Sequence, residues 1–306
     1  MKDSYGRETT NLRISLTQRC NLDCFYCHQE GEEGNKKTSL KAEEVKRIVE
    51  TATDLGMHKV KYSGGEPLLH PELEKIIDHS SHYMDDVSIT TNGVFLKEKA
   101  ERLKRAGLDR ANVSLDTVDS KTYEEITGVA ALEKVKSGVK KAVEVGLFPV
   151  KLNMLLLDGL NDDEVWDMVD WASGVDAILQ VIELTGNEEE VEEEFYQEYH
   201  HSLKDLASKL EEKAKGTKRR KMHARKKYFL KDPEVEVELV RSMHNSTFCM
   251  NCTRLRVTSE GELKPCLLRK DNHVSMRKEL EEGKGIKDKF IEAIQKREPY
   301  WCERQG

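Results

Sequence analysis

The stretch Leu12-Arg13-Ile14-Ser15-Leu16-Thr17-Gln18-Arg19-Cys20-Asn21-Leu22-Asp23-Cys24-Phe25-Tyr26-Cys27 runs from an apolar alternation straight into three cysteines. Leu12, Ile14 and Leu16 alternate with Arg13 and Ser15, the period of a strand. The cysteines follow as C-x3-C-x2-C in the loop after that strand. Three thiolates at this spacing can hold three irons of a cubane and leave the fourth open to an amine and a carboxylate. Soft thiolates favour iron–sulfur or zinc over hard cations. A zinc site completed by the adjacent His28 is the competing reading, although zinc usually takes C-x2-C pairs and a fourth Cys or His.

Downstream, strand and helix patterns alternate. Val60 to Ser63, Val87 to Thr91, Ala111 to Leu115, Pro149 to Leu157 and Ala177 to Leu184 read as strands. Helices are expected from Ser39, as N-cap, to Leu55, from Pro71, around Lys97 to Ala106, around Leu132 to Val145, and after Asn161-Asp162-Asp163. Six βα units in series predict an α/β fold with a parallel sheet, doubly wound or curled into part of a barrel, and place ligand chemistry at the C-terminal strand ends. After Asn187 the pattern changes. Glu188 to Lys215 is charged and helix-prone, Gly216 to Lys227 is basic, and Val235 to Val240 reads as a strand. A soft boundary near 215 divides a core at 1–215 from a smaller C-terminal domain at 216–306.

The chain has 306 residues, a net charge of -7 and 35% charged residues. This acidic balance gives no reason to expect nucleic acid or an anionic membrane as partner. No apolar run is long enough for a span, and Met1 to Thr10 lacks the apolar stretch of a signal peptide, so the expected location is the cytoplasm. There the seven cysteines stay reduced and read as metal ligands rather than disulfides.

Two further motifs stand out. Ser63-Gly64-Gly65-Glu66-Pro67 follows the second strand; the glycines would let the backbone approach a ligand, and Glu66 or a main-chain carbonyl could accept from an ammonium. Near the C-terminus, Cys249-Met250-Asn251-Cys252-Thr253-Arg254-Leu255-Arg256 continues to Cys266, a C-x2-C-x13-C set of three. It could hold a second open-cornered cluster, or a zinc ribbon completed by His244 or His273. In an extended segment Arg254 and Arg256 point the same way, a fork suited to phosphate. Cys302, the seventh cysteine, reads as a spare thiol.

The first cysteine set with Gly64-Gly65-Glu66-Pro67 resembles the radical S-adenosylmethionine (SAM) superfamily. Thr90-Thr91-Asn92-Gly93, Asn112-Val113-Ser114-Leu115-Asp116, Ile126-Thr127-Gly128, Pro149-Val150-Lys151-Leu152-Asn153, Gly159-Leu160-Asn161-Asp162 and the Cys-x2-Cys-x-Arg-Leu-Arg segment make it similar, over nearly its whole length, to the GTP 3′,8-cyclase family of molybdenum cofactor biosynthesis. The resemblance implies a partial (βα)6 TIM-type barrel closed by a C-terminal domain with a second [4Fe–4S] cluster. It implies a radical SAM lyase that takes a hydrogen atom from ribose C3′ of GTP and joins C3′ to C8. One cluster would be held by Cys20, Cys24 and Cys27 and another by Cys249, Cys252 and Cys266. Tyr26, Gly64, Gly65, Glu66 and Ser114 would meet SAM, and Arg13, Lys61, Thr91, Lys151, Arg254, Leu255 and Arg256 would meet GTP. Implied partners are a ferredoxin- or flavodoxin-type reductant, a cyclic pyranopterin-forming enzyme receiving the product, and a second copy in a homodimer. Lys61 and Gln180 stand where the family usually carries Arg, Gln18 replaces an Asp, and Gln305-Gly306 replaces a Gly-Gly tail. A peptide-modifying radical SAM enzyme and a zinc-binding scaffold are the rival readings.

Overall fold

The computed structural model describes residues 1–32 and 38–301; Cys302 and the Gln305-Gly306 end lie outside them. The alternation read from the sequence is present as β1 (Asn11–Ser15), α1 (Ala42–Asp54), β2 (Lys59–Ser63), α2 (Leu73–Ser81), β3 (Asp86–Thr91), α3 (Leu96–Arg105), β4 (Arg110–Ser114), α4 (Ser120–Thr127), α5 (Leu132–Glu144), β5 (Lys151–Leu156), α6 (Val165–Gly174) and β6 (Ile178–Glu183). Strands β1 to β6 pair in order and in parallel. This is the expected partial (βα)6 barrel.

The remaining chain forms α7 (Glu194–Tyr199), α8 (Lys204–Lys213), β7 (Ala214–Arg219), β8 (Lys226–Lys231), β9 (Glu234–Val240), α9 (Ser246–Met250), β10 (Arg254–Val257), β11 (Glu262–Lys264), β12 (Val274–Ser275), α10 (Arg277–Glu281) and α11 (Lys287–Gln295). It extends the same sheet at both edges: β10 joins β1 and β9 joins β6, both in parallel, giving the order β12-β11-β10-β1-β2-β3-β4-β5-β6-β9-β8-β7. The boundary expected near 215 falls inside β7, and one sheet runs across it.

Strand alternation sorts the side chains into two faces. Leu12, Ile14, Val60, Val87, Ala111, Val113, Leu152, Leu179, Val237 and Leu255 are buried in the apolar core. The alternate positions, in register from strand to strand, are Arg256, Arg13 and Lys61, then Asn112 beside Lys151, then Gln180 beside Glu238. A closed barrel fills its interior with branched apolar layers; this one carries a polar row, so the fold itself provides the concave, charged face.

Three local expectations change. Ser39 is not the N-cap: α1 begins at Ala42, Glu44 accepts from the Lys41 amide at 2.8 Å, and Ser39 Oγ donates to Leu16 O at 3.1 Å. The stretch before α5 contains α4, capped by Asp119 and ended by Gly128 in the left-handed region at φ 72°. The charged segment at 188–215 is broken into α7 and α8 rather than one solvated helix, and Phe195 and Tyr199 of α7 lie against Phe25 in the first cysteine loop, at ring separations of 5.9 and 5.2 Å.

Candidate active site

The first cysteine loop leaves β1 and is fastened from two sides. Asp23 N and Phe25 N donate to Thr127 O and Ile126 O at the end of α4, at 3.0 and 3.3 Å. On the other side the turn after β2 closes on it: Gly65 N donates to Thr17 O and Glu66 N to Arg19 O, both at 2.7 Å. A Cβ at Gly64 would lie 2.3 Å from Thr17 O, and one at Gly65 2.4 Å from Arg19 O. These glycines are needed for backbone-to-backbone contact with the cysteine loop, a closer constraint than the ligand approach anticipated from sequence.

Glu66 has no solvent exposure. Its carboxylate accepts from Leu68 N (2.8 Å), Thr91 Oγ1 (2.8 Å) and Asn92 N (2.7 Å), and burial raises its pKa to about 7. The Glu66 carboxylate thereby joins β2 to β3. The Thr91 hydroxyl, 2% exposed, belongs to the same joint. Asn92, freed of any such burial, reaches back to Asn21 Oδ1 (3.0 Å) and the Cys20 sulfur (3.8 Å). The Tyr26 hydroxyl donates to Asp116 Oδ2 at 2.6 Å, while Leu155 N holds the other Asp116 oxygen at 2.8 Å. Tyr26 has thus spent its hydroxyl proton on Asp116, and its ring, main chain and hydroxyl lone pair remain for a ligand. Ser114 lies half-buried at the end of β4, two residues before Asp116.

The Cys24 thiol is pushed up to about 12, by burial first and then by Asp116, Cys27 and Cys20. Three thiolates here are costly without a polycation among them, which a [4Fe–4S] cluster provides. The second set follows the same logic with a different balance. Burial and the charges of Cys266 and Cys252 raise the Cys249 thiol. Burial alone would raise Cys252, but Arg256, Arg297 and Arg254 outweigh it and lower its pKa. Both donor sets fit clusters bound through three cysteines.

A buried bolt that sequence reading missed holds the second set. Arg297, 1% exposed, donates to Cys252 O (2.6 Å) and Thr9 Oγ1 (2.6 Å) and pairs with Asp3 (3.1 Å). Asp3 also binds Arg7, which donates to Cys249 O at 3.1 Å. Arg297→Ala leaves Asp3 with Arg7 as its remaining ion partner and frees the Cys252 carbonyl of the cysteine turn. Expected is loss of roughly half of about eight irons, with SAM binding retained; iron analysis and electron paramagnetic resonance check it.

The cations gather between the two sets. Arg254 and Arg256 alternate in β10, and Leu255 between them is fully buried on the opposite face, so any contact it makes with substrate is through its main chain. Arg256 Nε is buried without a hydrogen bond among the described residues. Arg13 donates to Ser63 Oγ at 3.1 Å and pairs with Glu30. Burial would raise Glu30, but Arg13, His28, Arg256 and Arg254 hold it at about 2. Lys61 donates to Asn112 Oδ1 at 2.7 Å and is pushed well below the lysine range by burial and then by Arg13, Arg110, Arg254 and Lys151. Arg256 thus acts on Glu30, three residues past Cys27, and on Cys252. Arg13, Glu30, Ser63, Arg256 and Lys264 line one cleft there. Lys151 pairs instead with Glu238, a β9 carboxylate that sequence reading passed over.

Comparison with known proteins agrees with this geometry. The Radical SAM superfamily pattern matches residues 14–172 and the Molybdenum Cofactor Synthesis C pattern residues 177–302. The chain is 48% identical to the "Probable GTP 3′,8-cyclase" of Pyrococcus abyssi over 98% of this chain and 99% of that one. The chain belongs to the GTP 3′,8-cyclase family of radical SAM enzymes. It is 44% identical to the protein of that name from Methanocaldococcus jannaschii, over 98% of this chain and 99% of the other. Among solved structures, Streptococcus suis SuiB bound to S-adenosylmethionine superposes with a TM-score of 0.65 at 19% identity, covering 85% of this chain and 60% of SuiB. Native anSMEcpe with bound AdoMet gives 0.64 at 16%, covering 94% and 80%. At these identities the likeness is one of fold. Family membership sets aside the zinc scaffold. The protein is an enzyme whose cofactors are two [4Fe–4S] clusters and SAM.

Proposed function

We propose that this enzyme cyclises GTP to (8S)-3′,8-cyclo-7,8-dihydroguanosine 5′-triphosphate, the first step of molybdenum cofactor biosynthesis. The observation that carries the reading is the strand-end cleft lined by Arg13, Arg256 and Lys264, in a chain whose two three-cysteine sets follow β1 and flank β10 and β11. Cys20, Cys24 and Cys27 would hold the first cluster, and Cys249, Cys252 and Cys266 the second. When bound, the first cluster and SAM would supply the radical chemistry for taking the C3′ hydrogen, and the second would supply an iron for a guanine nitrogen or oxygen.

The protein's own part is position and charge. The main chain at Gly64 and Gly65, the Tyr26 segment and Ser114 would hold SAM. Arg13, Lys61, Lys151, Arg254 and Arg256 hold the triphosphate, with Arg256 Nε a donor waiting for an acceptor. Fixing C3′ near C8 turns a slow ring closure into a pre-oriented one. A one-electron reductant of the ferredoxin or flavodoxin type, product transfer to a cyclic pyranopterin-forming enzyme, and a homodimer complete the reading. The peptide-modifying alternative has no counterpart for the clustered cations. GTP titration into anaerobically reconstituted protein separates the two: saturable binding supports the cyclase, and no binding opposes it.

Lys151 adds a pH signature. Burial, offset in part by Glu238, brings it down to about 8. Below that pH the ammonium is charged and attracts phosphate; above it the charge is lost. The Kd for GTP is expected to be flat up to about pH 8 and to rise beyond it. Lys151→Arg, which stays charged, flattens the rise; isothermal titration across pH 6.5 to 9.5, roughly the span in which lysine so perturbed titrates, checks it.

A further inference from the structure

Beside Lys151 lies a layer of charge for which the proposed function so far has no use. Glu238 has no solvent exposure. Its carboxylate meets Lys151 Nζ at 3.0 Å, Gln180 Nε2 at 2.6 Å, Arg220 Nη1 at 3.2 Å and Arg225 Nε at 2.9 Å. Three positive groups thus converge on one negative group where water is scarce. The Arg225 contact is close but misaligned, and its Nε is a buried donor without a hydrogen bond among the described residues. Burial would raise Glu238, but Arg225, Lys151 and Arg220 hold it at about 2, so it is a permanent anion.

Arg220 and Arg225 flank the turn between β7 and β8. That turn is docked on the second cysteine segment: His223 N donates to Asn251 O at 2.9 Å, and the His223 ring stacks on Phe248 at 3.9 Å and 13°. His223 and Ala224 are both in the left-handed region, at φ 61° and 50°, which folds the turn inward. Arg220, Arg225, Arg254 and Arg256 all bear on the His223 imidazole. The turn therefore lies against the second cysteine segment, near the arginines of β10. Against this group the site sets the carboxylates of Glu30, Glu32 and Glu238. A ligand with several negative charges relieves the imbalance, and a neutral one does not.

We infer that Arg220 and Arg225 are phosphate-binding residues of the substrate site, and that Glu238 is the internal anion that holds them and Lys151 ready. The inference rests on the GTP reading and extends it. Each guanidinium has five donors and turns a single nitrogen toward Glu238, which leaves donors for phosphate oxygens. The β7–β8 turn then discriminates by phosphate count, favouring a triphosphate over shorter chains.

The test is equilibrium binding of GTP, GDP, guanosine and inorganic tripolyphosphate to the reconstituted enzyme. It compares wild type with Arg220→Ala, Arg225→Ala, Arg225→Lys and the exposed control Lys218→Ala. The expected result is GTP binding weakened about 10- to 100-fold by each alanine. GDP should lose less, guanosine and Lys218→Ala nothing, and Arg225→Lys should recover part. The Arg220 side chain is 30% exposed, so its removal tests the idea without emptying the core. Unchanged GTP binding in Arg220→Ala overturns the inference, as does an equal loss for guanosine. If wild type binds tripolyphosphate and Arg220→Ala does not, but GTP binds neither, the arginine assignment stands and the GTP reading falls.

Discussion

Cys24→Ser abolishes reductive cleavage of SAM: 5′-deoxyadenosine formation drops below detection, and about four of the expected eight irons are lost. Cys24 is the least exposed member of its set. It is partly buried, and its thiol is held at about 12 by burial and by the charges of Asp116, Cys27 and Cys20. Its thiolate persists only when iron shares the charge. A serine hydroxyl ionises still less readily and is a harder ligand, so it cannot complete a three-iron grip. The loop need not collapse, because its fastening through Thr127 O, Ile126 O and the Gly64-Gly65 turn is made of main-chain bonds that the substitution leaves alone. Retained GTP binding in this variant separates loss of the cluster from loss of the fold.

Arg256→Ala raises the KM for GTP by about 100-fold or eliminates cyclisation, while SAM is still cleaved in the absence of GTP. Arg256 carries a buried Nε without a hydrogen bond among the described residues, bears on Glu30 from one side and helps lower the Cys252 thiol's pKa from the other. Arg254→Ala behaves alike. Since Cys252 depends on both, iron content must be measured in each variant. A full complement of iron with a raised KM assigns the effect to substrate, and the paired change is less than the sum of the single ones because the two guanidiniums share one ligand. Normal cyclisation by either variant removes that arginine from the substrate site.

The framework could be read from the chain because its periodicities are strong. β1 to β6 and their helices lie within a residue or two of where Leu12, Val60, Val87, Ala111, Pro149 and Ala177 placed them. Residues whose role is set by distant partners could not be read this way. Glu238 lies in an alternating strand, Glu-Val-Glu-Val-Glu-Leu-Val, where the pattern marks it as solvent-facing; only the pairing of β9 with β6 turns it toward Lys151 and Arg225. Arg220 and Arg225 sat in a basic stretch lacking apolar alternation, so the β7–β8 turn carried no strand signal. Arg297 and Asp3 are 294 residues apart in sequence and meet only because the ends of the chain close over the second cysteine set. Glu66 and Thr91 were motif residues with a plausible ligand role, and the buried joint they make between strands is set by the pairing of β2 with β3. One signal was available and passed over: Asp119 followed by Gly128 frames α4 with an N-cap and a left-handed stop.

The decisive measurement uses GTP carrying deuterium at ribose C3′, incubated with reconstituted enzyme, SAM and dithionite. Mass spectrometry should find one deuterium transferred to 5′-deoxyadenosine, alongside an isomer of GTP that has lost that deuterium. Cleavage of SAM with undeuterated 5′-deoxyadenosine and unchanged GTP would contradict the proposed reaction.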